Sequence, residues 1–194
     1  QLIDGKENKT IDLKPNDPMY LLTPNSLKGY EKEATNELIE SVVLDANDPD
    51  GKPQLVTVLL SIAKPSIQDI GAKGKNPLGE HYGKNNGISF VRAGREIELS
   101  HKSFFPHFET RTRWIGLEVR FPPQLDKYFG VSNNKQQIRK FKNFSESEIE
   151  EFKQTIATND QSLGVDEAKI LVELHTCIQK LFRQASKVVV NRHA

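Results

Sequence analysis

Alternation of apolar and polar residues is clearest in the middle of the chain, and it predicts a β-strand near residues 112–121. Every second side chain there is large and apolar, which is the period of a strand with one buried face. Pro122 and Pro123 end the strand because proline cannot donate a backbone hydrogen bond. A short helical turn should follow at residues 125–129 and end at Gly130. The apolar positions are Ile115, Leu117, Val119 and Phe121.

The same period predicts three further strands that join the first in one mixed sheet, at residues 55–63, 87–92 and 95–99. The last two form a hairpin around Ala93-Gly94. Prolines and a turn-forming cluster interrupt residues 1–54, so we expect an irregular leading segment there. Short strands are possible within it at residues 19–22 and 38–44. Residues 66–86, rich in glycine and lysine, are predicted to be a long polar loop.

After residue 144 the apolar period changes to three and four, which predicts helices at residues 146–157 and 166–190. Ser145 and Glu148 form a capping box before the first helix. We therefore expect an α+β domain over residues 1–144 and a C-terminal helical segment over residues 145–194. The second helix should be buried along one stripe, against this domain or a partner chain. That stripe comprises Ile170, Leu174, Ile178, Leu181, Ala185 and Val188.

Composition sets few limits on function. The 194 residues include 27 basic and 26 acidic side chains, a balance that neither favours nor excludes nucleic acid. No apolar run reaches the ~20 residues of a membrane helix, and there is no signal-peptide pattern. The single cysteine, Cys177, excludes an internal disulfide and favours a reducing, cytoplasmic setting. Because the chain starts at Gln1 and its one methionine is Met19, we expect a piece of a longer protein.

Motifs of known chemistry are incomplete in this sequence. Residues 79–84 are one residue too short between the glycines for a P-loop, and Asn85 replaces the hydroxyl residue that would bind magnesium. His101 and His107 lack further ligands for a metal. His175 is expected on a helix surface, and Cys177 beside the buried stripe is expected as a small core residue. From residue chemistry alone, the chain offers no self-contained active site.

Two segments taken together resemble the second domain of GHKL ATPases, the superfamily of gyrase, MutL, heat-shock chaperones and histidine kinases. They are ISFVRAGREIEL at residues 88–99 and WIGLEVRFPPQLDKYFGVSNNKQQ at residues 114–137. The pattern is most similar to bacterial MORC-like ATP-binding proteins, which carry Val-Arg-x-Gly-Arg-Glu, Phe-Pro-Pro-x-Leu-Asp and Val-Thr-Asn-Asn-Lys-Gln. Ser132 stands here in place of the threonine. The resemblance covers about residues 15–140 and does not extend to the C-terminal helices.

This resemblance implies a transducer domain with a two-layer β-α-β-α fold, a small twisted mixed sheet with helices on one face. ATP, Mg²⁺ and the catalytic glutamate would belong to an upstream ATP-binding domain of the same polypeptide. Lys135 would contact the γ-phosphate of that ATP, and Asn133, Asn134 and Gln136 would form the supporting turn. Arg92 and Arg95 would support the domain interface, unless they are ordinary strand-edge arginines. The chain by itself is then not expected to be an ATPase.

Two other function classes stay open at this point. A nucleic-acid-binding module would use a basic loop and sheet surface, with a salt-dependent affinity. A dimerisation or scaffold domain would use the apolar stripe of the long helix to form a homodimer. The basic residues available for the first class are Lys73, Lys75, Lys84, Arg92, Arg95, Arg111, Arg113 and Lys135.

Overall fold

The computed structural model describes residues 2–4, 7–9, 16–24, 27–71, 76–100, 104, 110–132 and 137–189. Two short strands pair with each other, β1 (Leu2–Asp4) and β2 (Glu7–Lys9). Five strands form the main sheet: β3 (Asn36–Asn47), β4 (Pro53–Ala63), β5 (Ile88–Arg92), β6 (Arg95–Ser100) and β7 (Ile115–Phe121). The described α-helices are α1 (Pro65–Gly71), α2 (Pro77–Lys84), α3 (Asp126–Phe129), α4 (Glu146–Thr158) and α5 (Val165–Val188).

The main sheet is mixed, with the strand order β3-β4-β7-β5-β6. β4 is antiparallel to both β3 and β7, whereas β7 is parallel to β5, and β5 and β6 form an antiparallel hairpin. The predicted α+β class and mixed sheet are confirmed, and the four predicted strands are all present. β7 lies at the centre of the sheet, so whatever follows it is attached to the best-supported strand of the fold.

Helix α5 and the sheet share one hydrophobic core. Val58, Val119 and Phe90 are neighbours in register on β4, β7 and β5, and all three belong to the same buried cluster as Leu174 and Ile178 of α5. The predicted burial of this helix is confirmed, and it is against the chain's own sheet. The boundary expected at residue 144/145 therefore does not separate two cores.

The expectation that only one face of β7 is buried is wrong. Gly116 and Glu118 are buried as well, and only Arg120 of this strand is exposed. The reason is a covering segment: a Cβ on Gly116 would lie 2.5 Å from Ser61 Oγ and 3.1 Å from Met19 Sδ. Residues near Met19 thus close part of the face opposite α5, and a strand pattern cannot reveal such a cover.

Residues 19–22, expected as a short strand, instead begin within a turn in which the Tyr20 N–H donates to the Asp17 carbonyl (3.1 Å). Trp114 likewise lies in a 3₁₀ turn, Thr110–Trp114, just before β7. The leading segment is less irregular than expected, because β3 alone takes up twelve residues of it. β3 is an edge strand, so its side chains are only half-buried on one face and exposed on the other.

The prediction of a long polar loop at residues 66–86 is also wrong, because this segment contains most of α1 and all of α2. Asn76 caps α2 by accepting a hydrogen bond from the Leu78 N–H (2.9 Å), and Pro77 occupies the first turn. Glycines allow close packing here: a Cβ on Gly79 would lie 2.5 Å from the Gly71 carbonyl oxygen. These helices are too short, and too rich in glycine, to show a helical period.

The C-terminal helices begin and end close to their predicted residues. Ser145 and Glu148 form the predicted capping box, with the Ser145 N–H donating to the Glu148 carboxylate (2.9 Å). Asn159 adopts a left-handed conformation (φ 52°) and ends α4. Val188, predicted as part of the buried stripe, is exposed at the last residue of α5. Within the described residues, no helix has both the length and the apolar composition needed to cross a membrane.

Candidate functional site

The candidate site is the segment that leaves the central strand β7. Its backbone passes through Pro122, a 3₁₀ turn and α3, and then reverses at Gly130. Gly130 adopts a left-handed conformation (φ 62°), and a Cβ there would lie 2.7 Å from Lys140 Cγ. Glycine is therefore required both by the backbone angle and by the close approach of Lys140. The predicted helical turn ending at Gly130 is confirmed.

After Gly130, residues 131–132 pair with residues 137–138, and these four residues are called the hairpin base. Val131 and Ile138 form an antiparallel bridge, and the Ser132 N–H donates to the Gln137 carbonyl (3.1 Å). The Ile138 N–H donates to the Glu98 carboxylate of β6 at 2.6 Å. A charged acceptor makes this bond stronger than an ordinary backbone bond. The two sides of the hairpin base are thus held together and tied to the edge of the sheet.

The predicted site residues Asn133, Asn134, Lys135 and Gln136 lie outside the described residues. Their positions are bounded by the hairpin base at Ser132 and Gln137. The predicted phosphate contact at Lys135 accordingly stays a prediction.

Arg92 ties the candidate site to the neighbouring strand. Its Nε and Nη2 atoms donate to the two carboxylate oxygens of Asp126, at 2.6 and 2.7 Å. Both side chains are at least two-thirds buried, and the hydrogen bonds that Arg92 donates to Asp126 raise the pKa of Arg92. A bidentate pair of this kind fixes orientation as well as distance. Arg92 therefore already has a partner within the chain, Asp126, which is the first residue of α3.

Arg95, the other predicted interface residue, is exposed directly after the β5–β6 turn, in which Ala93 and Gly94 have positive φ. It lies at the rim of an open cavity of about 930 Å³ on the sheet face opposite α5. The two arginines thus differ in their surroundings. Arg92 is bound to Asp126 of the candidate site, whereas Arg95 is exposed and could contact a neighbouring surface.

The cavity beside Arg95 has an acidic floor. Glu118 is buried there and pairs with exposed Arg120, with Nε and Oε1 2.5 Å apart. Burial raises the pKa of Glu118, the Arg120 pair lowers it, and Asp17 and Glu96 raise it further. Glu96 also accepts a hydrogen bond from the Ser89 hydroxyl (2.6 Å). The cavity therefore carries charges of both signs, with Asp17, Glu96 and Glu118 beside Arg95 and Arg120.

The incomplete P-loop at residues 79–84 is a helix, α2, and not a phosphate-binding loop. The Tyr82 hydroxyl lies 2.7 Å from Asn36 Oδ1 and 2.8 Å from Thr35 Oγ1 in the interior. Burial raises the pKa of Tyr82 well above its usual value. These contacts join α2 to the start of β3. They give residues 79–84 a structural role in the fold.

His175 is not on the surface as expected. It is buried on α5, its Nε2 lies 3.0 Å from Asn143 Oδ1, and burial lowers its pKa. Cys177 is half-buried against the core, as predicted. Among the described residues, no three His, Cys, Asp or Glu side chains converge as metal ligands. His101 and His107 fall outside the described part of the chain.

Sequence reasoning missed two residues of the site, Asp126 and Glu98. Asp126 opens α3 and holds Arg92, and Glu98 holds the hairpin base from β6. Their roles depend on which strands are neighbours, and no local pattern marks them. Comparison with protein-family models, with curated proteins and with solved structures gives no match.

Proposed function

We propose that this chain is the transducer domain of a GHKL-type ATPase and that Lys135 contacts the γ-phosphate of ATP held by a separate ATP-binding domain. One observation carries the proposal: the residues on either side of the lysine segment are joined, Val131 to Ile138 by a β-bridge and Ser132 to Gln137 by a backbone hydrogen bond. The segment that matches the family pattern around the lysine therefore starts and ends on a fixed base beyond the central strand. In this proposal that base sets the position from which Lys135 presents its ammonium group.

Lysine suits this role chemically. Its ammonium group is a compact charge on a flexible stem and can reach a terminal phosphate from a neighbouring domain. In this proposal ATP and Mg²⁺ are bound by the other domain, and this chain supplies the one charge that distinguishes ATP from ADP. The single cysteine, which is half-buried, agrees with the cytoplasmic location we propose.

The base of the turn explains how a local contact would move the whole domain. Arg92–Asp126 joins α3 to β5, Glu98 joins the hairpin base to β6, and β7 connects both to the core under α5. Because these links are hydrogen-bonded and packed, a pull on Lys135 is transmitted to the sheet as a rigid rotation. The domain would thereby report ATP binding to whatever follows it.

A nucleic-acid-binding module has less support. Arg92 is paired with Asp126, and the Arg113 guanidinium lies over the Trp114 ring at 4.7 Å. Burial lowers the pKa of Arg113. Two of the basic residues considered for such a surface are thus engaged in the fold, while Lys73, Lys75 and Lys135 lie outside the described residues.

The test replaces Lys135 by alanine in the full-length protein and measures ATPase rate and ADP affinity. A charge-assisted contact to phosphate contributes about 1.5–3 kcal/mol. If it develops in the transition state, Lys135→Ala should slow turnover about ten- to a hundredfold. ADP affinity should stay within about twofold, because ADP lacks the γ-phosphate.

Lys127 provides the matched control. It is an exposed lysine on α3, eight positions before Lys135, and lies on the same segment. Lys127→Ala should leave both the ATPase rate and the ADP affinity unchanged. A wild-type ATPase rate for Lys135→Ala, or equal losses of ATP and ADP binding, would remove Lys135 from the nucleotide site.

A further inference from the structure

The outer edge of β3 has the features of a pairing surface. β3 is the terminal strand of the main sheet, and within the described residues it pairs with β4 alone. Exposed edges of native sheets are usually protected by charged side chains, above all lysine, by proline, by short length or by bulges. The charged residues of β3 are the acidic Glu37, Glu40 and Asp45, and none of them lies within residues 41–44. β3 is twelve residues long, its sequence NELIESVVLDAN contains neither lysine nor proline, and its one irregularity lies between Leu38 and Glu40.

Apolar side chains are exposed on both sides of this edge. Leu38 and Val43 pair with Ser61 and Thr57 of β4, on the face opposite α5, and are 52% and 56% exposed. On the α5 face, a groove of about 330 Å³ runs between β3 and the helix. Its lining residues are Glu40, Val42, Leu44, Val172, Glu173, Thr176, Cys177, Lys180 and Leu181. An added strand would therefore gain backbone hydrogen bonds and cover apolar surface on both faces.

We propose that the occupant of this edge is β3 of a second copy of the chain, paired antiparallel about a two-fold axis at Val43. Val43 then faces Val43 of the second copy, and Val42 faces Leu44 on the α5 side. Glu40 faces Ala46, so no carboxylate meets another. The two main sheets become one continuous sheet of twice five strands.

Two of the neighbouring registers are less favourable because they oppose acidic residues of β3. Centring the axis on Ser41 places Asp45 opposite Glu37 of the second copy, and centring it on Leu44 places Glu40 opposite Asp48. Like charges directly opposite each other destabilise a strand pair. An axis at Val42 opposes no like charges but places Glu40 opposite Leu44. An axis at Val43 instead places apolar Val42 and Leu44 opposite each other, and we therefore choose it.

Helix α5 supports the same axis. Exposed Glu173 and Lys180 are seven residues apart, two helical turns, and so lie on one side of the helix. In an antiparallel pair of α5 helices, Glu173 of each copy meets Lys180 of the other about a centre beside Thr176. The groove brings Val42 and Thr176 together, so the strand axis and the helix axis coincide. Two oppositely charged pairs would close the groove at its rims.

This interface leaves the candidate site accessible. β3 and β6 are opposite edges of the sheet, and Glu98, which holds Ile138 of the hairpin base, belongs to β6. The inference therefore does not depend on the proposed function. Failure of the Lys135 experiment and failure of the pairing experiment would be distinguishable.

The first experiment measures mass in solution by sedimentation or light scattering at micromolar concentration. We expect the wild-type chain at twice its 22.0 kDa. Val43→Lys should give a folded monomer with an unchanged circular dichroism spectrum. Leu55→Lys is the matched control, since Leu55 is 57% exposed on the same face but lies one strand inward on β4. This variant should remain dimeric.

The second experiment tests the register with cysteines in a Cys177→Ser background. Val43→Cys should form a disulfide-linked dimer under mild oxidation, because the two residues face each other. Asp45→Cys should not, because four strand positions at about 3.4 Å each place its two copies roughly 14 Å apart along the strand. Disulfides need Cα atoms within about 7 Å. A monomeric wild type, a dimer that survives Val43→Lys, or efficient cross-linking through residue 45 would overturn the proposal.

Discussion

Leu174→Ala is the sharpest test of the fold, because it asks whether α5 is part of the sheet's core. Leu174 is fully buried on α5, within the hydrophobic cluster that includes β4 and β7. The change removes three carbon atoms, which corresponds to about 2.4 kcal/mol at roughly 0.8 kcal/mol each. The cavity left behind adds to this, and buried Leu→Ala changes span about 2–5 kcal/mol. We expect a loss of about 3–4 kcal/mol at this fully enclosed position.

Urea unfolding measures that loss as a difference in the free energy of unfolding, and a thermal scan should show a Tm lower by about 6–16 °C. Val188→Ala is the control on the same helix, because Val188 is 55% exposed and should change stability by less than about 0.5 kcal/mol. All variants are compared at one protein concentration, since association would add to apparent stability. Equal effects of Leu174→Ala and Val188→Ala would refute the packing of α5 on the sheet.

Two further predictions concern the covering segment and the buried histidine. Gly116→Ala should destabilise the fold by about 1–3 kcal/mol because its Cβ would lie 2.5 Å from Ser61 Oγ. Gly83→Ala is the control, because Gly83 lies on α2 with open space around it, and this change should stabilise the fold by up to about 1 kcal/mol. If urea unfolding showed Gly116→Ala to be the more stable of the two variants, the covering of β7 by the segment near Met19 would be contradicted. Burial lowers the pKa of His175, so below the ordinary value of 6.5 the unfolded chain binds a proton that the folded chain does not. Stability should thus fall as pH decreases from 7 through 6.5, and His175→Gln should make that fall shallower; identical pH profiles would argue against the burial.

Secondary structure was predictable where a local pattern coincided with burial. β4 and β7 show their period because one face of each packs in the core, and Ser145 and Glu148 mark the start of α4 by direct hydrogen bonds. Helices α1 and α2 were not predictable in this way. They are held by contacts far away in sequence, such as the Tyr82 hydroxyl with Asn36. Short helices of this kind gain stability from tertiary contacts more than from their own periodicity.

The candidate site was predictable only in part for the same reason. Gly130 and the prolines before it predict a turn after β7, and the residues that follow resemble the pattern of the GHKL family. Two contacts hold this segment in place. The Arg92–Asp126 pair depends on the parallel pairing of β5 with β7, and the contact of Glu98 with Ile138 depends on the β5–β6 hairpin. A parallel pair joins residues that are distant along the chain, so its register cannot be read from alternation.

Hydrogen exchange over residues 131–138 of the full-length protein tests the central claim most directly. The exchange rates are compared in the presence of a non-hydrolysable ATP analogue and of ADP, both with Mg²⁺. Our account predicts slower exchange across this hairpin with the ATP analogue, because the γ-phosphate holds Lys135, and no such slowing with ADP. Equal exchange in the two nucleotide states would contradict a γ-phosphate contact at this turn.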